Sequence, residues 1–187
     1  MKRINTMALM LGLGVAGVHA QDIHVRMTFS GNGSPSAVDL KQPASNNVEE
    51  NVAGNGTLGS FTFRDVRAGA LSPQPSTTCS GVFFPAVAGA GIFRFQDGAL
   101  LKVNVKGGGD CIDFVHLMAR CTLILEIKGG TGRLQNATGV LTYTEAAQPV
   151  LFDGAGNVVL GTEVGQITGT ISGVGNDEDD KGGGNRN

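Results

Sequence analysis

The sequence predicts an all-β fold, an antiparallel barrel of eight strands, with eight to ten short strands readable along the chain. Three observations carry that prediction. Apolar and polar residues alternate with a period of two over nearly every patterned stretch. Glycine, proline and asparagine break these stretches at short intervals. Beyond the first 20 residues no window carries an amphipathic helical period. Short strands joined mostly by tight turns make antiparallel sheet, and closure into a barrel or a two-sheet sandwich removes exposed edges. Fully alternating strands favour the barrel, with an apolar interior. The 30 glycines are more than twice what an average usage of about 7% gives, yet the chain stays 41% hydrophobic, so glycine here punctuates strands and does not signal disorder.

Residues 1–20 read as a secretory signal peptide. Lys2 and Arg3 supply the basic start, Met7 to Val18 the apolar run, and Val18-His19-Ala20 the small-residue end. The run is too short to span a bilayer, and no second one follows. Residues 21–175 then form a single barrel domain, and 176–187, "NDEDDKGGGNRN", a disordered polar tail. The expected location is secreted or periplasmic.

Ile23, Val25, Met27 and Phe29 alternate with polar residues and open the barrel. Residues 31–50 gather Gly, Ser, Pro and Asn and read as a long surface excursion. In "GTLGSFTFRDV", Phe61 and Phe63 face one way, Thr62 and Arg64 the other. After the loop "LSPQPSTTCSG", Phe93 and Phe95 alternate with Arg94 and Gln96. Asp97-Gly98 is a tight hairpin turn, beyond which Leu101, Val103 and Val105 alternate with Lys102, Asn104 and Lys106. Residues 111–117 and 119–127 add two strands, "GVLTYTEAA" another, and "PVLFDGAGNVVL" a hairpin turning at Asp153 to Asn157. The last strand places Gly165, Ile167, Gly169 and Ile171 on one face.

The cysteines number three, which in an oxidising compartment means one disulfide and one leftover thiol. Cys121 shares its parity with Leu123 and Leu125 and points inward, while Cys79 and Cys111 lie beside turn-rich stretches. A Cys79–Cys111 bridge is therefore expected, with Cys121 a buried, inert thiol.

"GGTGRLQNATG", residues 129–139, is glycine-rich but lacks the lysine and the following helix that a phosphate loop requires. Its glycines are expected to relieve a sharp reversal, with Ala137 and Gly139 leaving room for a neighbouring strand. The pattern Gly129-Gly130-Thr131-Gly132-Arg133-Leu134, then Ala137 and Gly139, resembles the "GGTGxF..A.G" segment of dirigent proteins and allene oxide cyclases, and of bacterial exported proteins with an allene-oxide-cyclase-like barrel. The resemblance implies a calycin-like eight-stranded barrel and allows a homo-oligomer. Leu134 stands where those families usually carry Phe, and none of their active-site residues maps onto a numbered position here.

The chain has 14 basic and 16 acidic residues; without Lys2 and Arg3 the balance is 12 to 16, a net charge of −4. Basic residues scattered singly, with no Trp and one Tyr, argue against nucleic acid. Ionisable candidates are His24, Asp113, His116, Glu126 and Glu145. His24 falls on the wet face of its strand. Asp113 shares parity with Cys111 and Val115 and is expected inside the barrel, satisfied by backbone donors or by Arg64 or Arg94. Asp113 and His116, three apart, fall on opposite faces of a flat strand. No metal-ligand spacing and no cofactor motif is present, so neither is expected. The candidate ligand-lining residues are Phe61, Phe63, Phe93, Phe95, Leu101, Asp113 and Leu123, on an inward ring that also takes Val103 and Leu125. The reading is a barrel that binds a small apolar ligand or a partner without evident catalytic residues. The alternative is a cyclase or isomerase confining a hydrophobic substrate.

Overall fold

The computed structural model describes residues 22–38, 40 and 45–175; the predicted leader and polar tail lie outside the described residues. Eight strands close into one antiparallel barrel in chain order: β1 (Ile23–Pro35), β2 (Ser45–Gly56), β3 (Phe61–Ala70), β4 (Val82–Phe95), β5 (Leu100–Asp113), β6 (Met118–Gly130), β7 (Thr138–Phe152) and β8 (Val158–Ser172). Closure comes from β1 on β8, where Met27 lies opposite Ile167 and Phe29 opposite Gly165. Among the described residues no strand is left with an open edge. The turns explain the simple meander. Gly98 takes φ of +86° after Asp97, whose carboxylate accepts the Ala99 N–H at 2.9 Å, and the Asp153 carboxylate accepts the N–H groups of Ala155 and Asn157.

Two sequence expectations are corrected. Residues 31–35 and 45–50, expected in a surface excursion, are strand: β1 continues to Pro35 and β2 begins at Ser45, pairing Gly31 with Val52 and Gly33 with Glu50. Glycine and asparagine are tolerated there because neighbouring strands on both sides supply the ladder. The two strands expected around 101–105 and 111–117 are one strand, β5, with an irregularity between Val105 and Gly107, and residues 114–117 form a turn.

One half of the interior is filled by rings and aliphatic chains. Phe63 stacks on Phe93 with centroids 4.1 Å apart, Phe61 meets Phe93 edge-on at 5.6 Å, and Phe29 stacks on Tyr143 at 4.6 Å. Glycine makes this stacking fit. A Cβ on Gly91 would stand 2.4 Å from the Phe63 ring, and one on Gly165 2.4 Å from the Phe29 ring.

The 129–139 segment closes this end. Gly129 and Gly132 take φ of +80° and +57° around a single 3-10 turn, Gly132–Leu134, that buries Leu134 completely. Arg133 holds the closure from outside, pairing with Asp97, donating to the Leu58 carbonyl at 2.7 Å and lying over Phe95. The glycine corner is architectural, as its missing lysine and helix imply. The disulfide joins Cys79 to Cys111 and leaves Cys121 buried and free, as expected.

Candidate functional site: a carboxylate layer beneath an open mouth

Toward the other end, the same inward parity carries charge into the barrel. On β3 the series Phe61, Phe63 continues as Asp65 and Arg67. On β7 Leu141 and Tyr143 lead to Glu145, and on β8 Ile167 and Gly165 lead to Glu163. β2 adds Glu50 beside Val52, β6 adds Cys121 beyond Leu123, and β5, after its irregularity, adds Asp110. The interior is therefore apolar over only half its length, which corrects the fully apolar interior expected from alternation.

Arg67 is the hub. It pairs with Glu50, completely buried, through Nη1, and its Nη2 lies 3.0 Å from Glu145 Oε1 and 3.5 Å from Asp110 Oδ1. Asp65 is 3.8 Å from Nη1. Tyr143 Oη lies 3.0 Å from Glu50 Oε2 and 2.8 Å from Glu145 Oε2. One hydroxyl proton serves one of these oxygens, so a carboxylic proton completes the other contact. Glu145 suits that role. Burial first, and the Glu50 charge second, push its carboxyl well above the ordinary range.

The same two causes raise Asp65, and push Glu163 up to about 8. Burial, reinforced by the charges of Glu50 and Glu145, holds Tyr143 as the neutral phenol, and burial likewise keeps Cys121 a thiol. Glu163 is 4% exposed and its Oε2 has no hydrogen-bond partner; Arg67 Nε also lacks one. Oxygens of Glu50, Glu145 and Glu163 lie within 4.8 Å of one another, a set of hard donors of the kind a cation takes.

Above this layer opens a cavity of about 320 Å³. Arg67, Asp110, Glu145 and Glu163 lie among its lining residues. Pro35, Val48, Ala119, Ala147 and Pro149 contribute apolar surface, and Phe114, Leu117 and Val158 stand exposed at its rim. It is a concave site with convergent polar groups at one side and apolar groups at the other.

The predicted site residues fall in three places. Phe61, Phe63, Phe93, Phe95, Leu101 and Leu123 are buried in the packed half of the barrel. Asp113 is not in the interior; it ends β5 at the rim, where its carboxylate accepts the N–H groups of Val115 and His116 and meets His116 Nδ1 at 2.7 Å. The chain turns at 114–117, so the two side chains meet although strand parity would separate them. The interior arginine is Arg67, whereas Arg64 is exposed and pairs with Glu49, and Arg94 is exposed. Glu126 lies outside the interior between Lys106 and Lys128.

No family model matches the chain. No curated protein matches it. Among solved structures it is similar to a pterocarpan synthase dirigent protein, with 12% identity and a TM-score of 0.37 over 88% of this chain and 99% of that one. The barrel described above stands on its own strand pairings. Among the described residues no helix is long and apolar enough to cross a membrane.

Proposed function

We propose that this is an exported barrel that binds a small organic molecule at the mouth, with the apolar half as a rigid base. The observation that carries the reading is the cavity itself, with apolar lining and rim and a group of buried, incompletely satisfied ionisable side chains at its inner side. Soluble folds bury charge at a cost, and a layer of acids that packing does not require is a functional candidate. Export is supported by the signal-peptide pattern of the sequence of residues 1–20 and by the disulfide. Phe61, Phe63, Phe93, Phe95, Leu101 and Leu123 act in this reading as the packed floor. Native mass spectrometry of protein purified from its own host tests it. A bound small molecule, or a ligand-dependent rise in melting temperature that blocking the mouth abolishes, is expected. Protein with neither overturns the reading.

A second reading, a cyclase or isomerase acting on a hydrophobic substrate, is favoured by one observation. Glu163, pushed up to about 8, keeps a proton beside the cavity near neutral pH, where a general acid would need it, and Glu145 is raised in the same direction. Recovery of an altered molecule, absent with Glu163→Gln, would establish turnover; return of unchanged ligand would leave binding alone.

A further inference from the structure

We infer that the molecule bound at the mouth carries a primary ammonium group on an apolar body, the ammonium docking among Glu163, Glu145 and Asp110. This rests on the mouth being a small-molecule site, and it names the ligand chemistry. The interior layer holds the carboxyls of Glu50, Asp65, Asp110, Glu145 and Glu163 against the Arg67 guanidinium, and Arg67 is already paired with Glu50 and Glu145. Glu163 lines the cavity, is almost wholly buried, and leaves Oε2 without a donor. Once the Glu163 carboxyl gives up its proton, an acceptor in that position is completed only by an incoming donor.

An ammonium group suits this site better than the other head groups. It brings three donors, no acceptor and a positive charge. A hydroxyl brings one donor and no charge, and a carboxylate would meet like charge. The body behind the head group finds Val48, Ala119, Ala147 and Pro149 in the lining and Phe114 and Leu117 at the rim. Without ligand the layer limits its own repulsion by keeping protons on Glu145 and Glu163. An arriving cation takes over that role, so a carboxylic proton passes to solvent as the amine binds.

Calorimetric titration of the full processed chain with hexylamine, hexanol and hexanoate at pH 7 tests this. Hexylamine is expected to bind about tenfold or more tightly than hexanol, as a charge-assisted hydrogen bond allows. Hexanoate is expected to bind weakest. The hexylamine heat should vary with the ionisation enthalpy of the buffer, reporting the released proton. Glu163→Gln, which puts a neutral amide where the free protein holds a protonated carboxyl and should fold, is expected to cut hexylamine affinity roughly tenfold and leave hexanol unchanged. Asp110→Asn, on a partly exposed carboxyl, provides a second variant with a loss of the same sign. Equal affinity for hexanol and hexylamine overturns the ammonium assignment while keeping the small-molecule site. Binding of none of the three overturns both. Tight binding of Mg²⁺ or Mn²⁺ alone, with hexylamine excluded, overturns the assignment in favour of a metal centre.

Discussion

Around Phe93 the barrel is held by ring against ring, with Phe63 stacked at 4.1 Å and Phe61 edge-on at 5.6 Å. Around Arg67, further along β3, it is held by a guanidinium among carboxyls from β2, β5 and β7, with a hydroxyl shared between two of them. Apolar packing gains free energy with little geometric demand beyond volume. A buried ionic layer needs partners for every charge, and well-packed apolar side chains of similar size are often as stable or more so. The apolar half therefore accounts for folding, and the charged half is explained better by what it receives. The same contrast separates the ends: Leu134 and Arg133 shut the first, whereas a cavity of about 320 Å³ opens the second.

Breaking the apolar half gives the largest effect. Phe93→Ala removes a fully buried ring together with its contacts to Phe61, Phe63 and Phe95. A loss of about 3–5 kcal/mol is expected from a cavity of this kind, read as a lower urea midpoint with an unchanged slope. A loss below 1 kcal/mol would mean that the rings are not the main support.

Breaking the charged half gives a comparable loss only when the acids are ionised. Arg67→Met leaves Glu50 and Glu145 without their counter-charge, at a cost of roughly 3 kcal/mol at pH 9. At pH 5 Glu145 and Glu163, whose carboxyls are raised, hold protons, and the loss is expected to shrink by half or more. Equal losses at both pH values would show that Arg67 acts through packing and not through charge.

The unaltered protein should show a smaller effect of the same origin. Glu163 has a pKa of about 8 in the folded chain against 4.5 ordinarily, and Asp65 and Glu145 are raised in the same direction. The folded state then holds protons that the unfolded state has released. The stability from Glu163 is full below about pH 4.5, declines through neutrality and is gone above about pH 8. Facing it are Glu50, Asp65, Arg67, Asp110 and Glu145, so the slope is shared across the layer. Thermal melts should show a higher midpoint at pH 5 than at pH 9, and Glu163→Gln should flatten the difference. Asp97, Asp113, Glu126 and Asp153 are lowered, so their contributions disappear only below about pH 4 and lie outside this window.

Much of the barrel was legible from alternation, and so, in principle, was its charged half. Extending the Phe61, Phe63 series by two steps reaches Asp65 and Arg67, and extending Leu141, Tyr143 by one reaches Glu145. Alternation carries Asp65 and Glu145 within their strands, but it gives only their parity and does not show that the inward carboxyls of several strands meet around one arginine. Glu50 was hidden differently: it follows a segment rich in glycine, serine and asparagine, whose strand character comes from the ladders on either side and not from its own propensity. Asp110 lies beyond the irregularity between Val105 and Gly107, where counting by twos loses the face.

The smallest effect sharpens the boundary between the two regions at its rim. Asp113 lines the cavity mouth, and parity placed it inside the barrel, but its carboxylate organises the 114–117 turn in solvent. Its pKa is lowered, chiefly by the His116 side chain, the opposite of the direction found for Glu145 and Glu163. Asp113→Asn keeps a side-chain oxygen for the Val115 and His116 N–H groups and removes only a screened charge. The melting midpoint at neutral pH should move by no more than about 1 °C, and hexylamine affinity by less than about twofold, because solvent already screens this carboxylate. A loss of affinity matching that of Glu163→Gln would move the ligand head group out of the barrel to the rim, and the buried acids would then need another explanation.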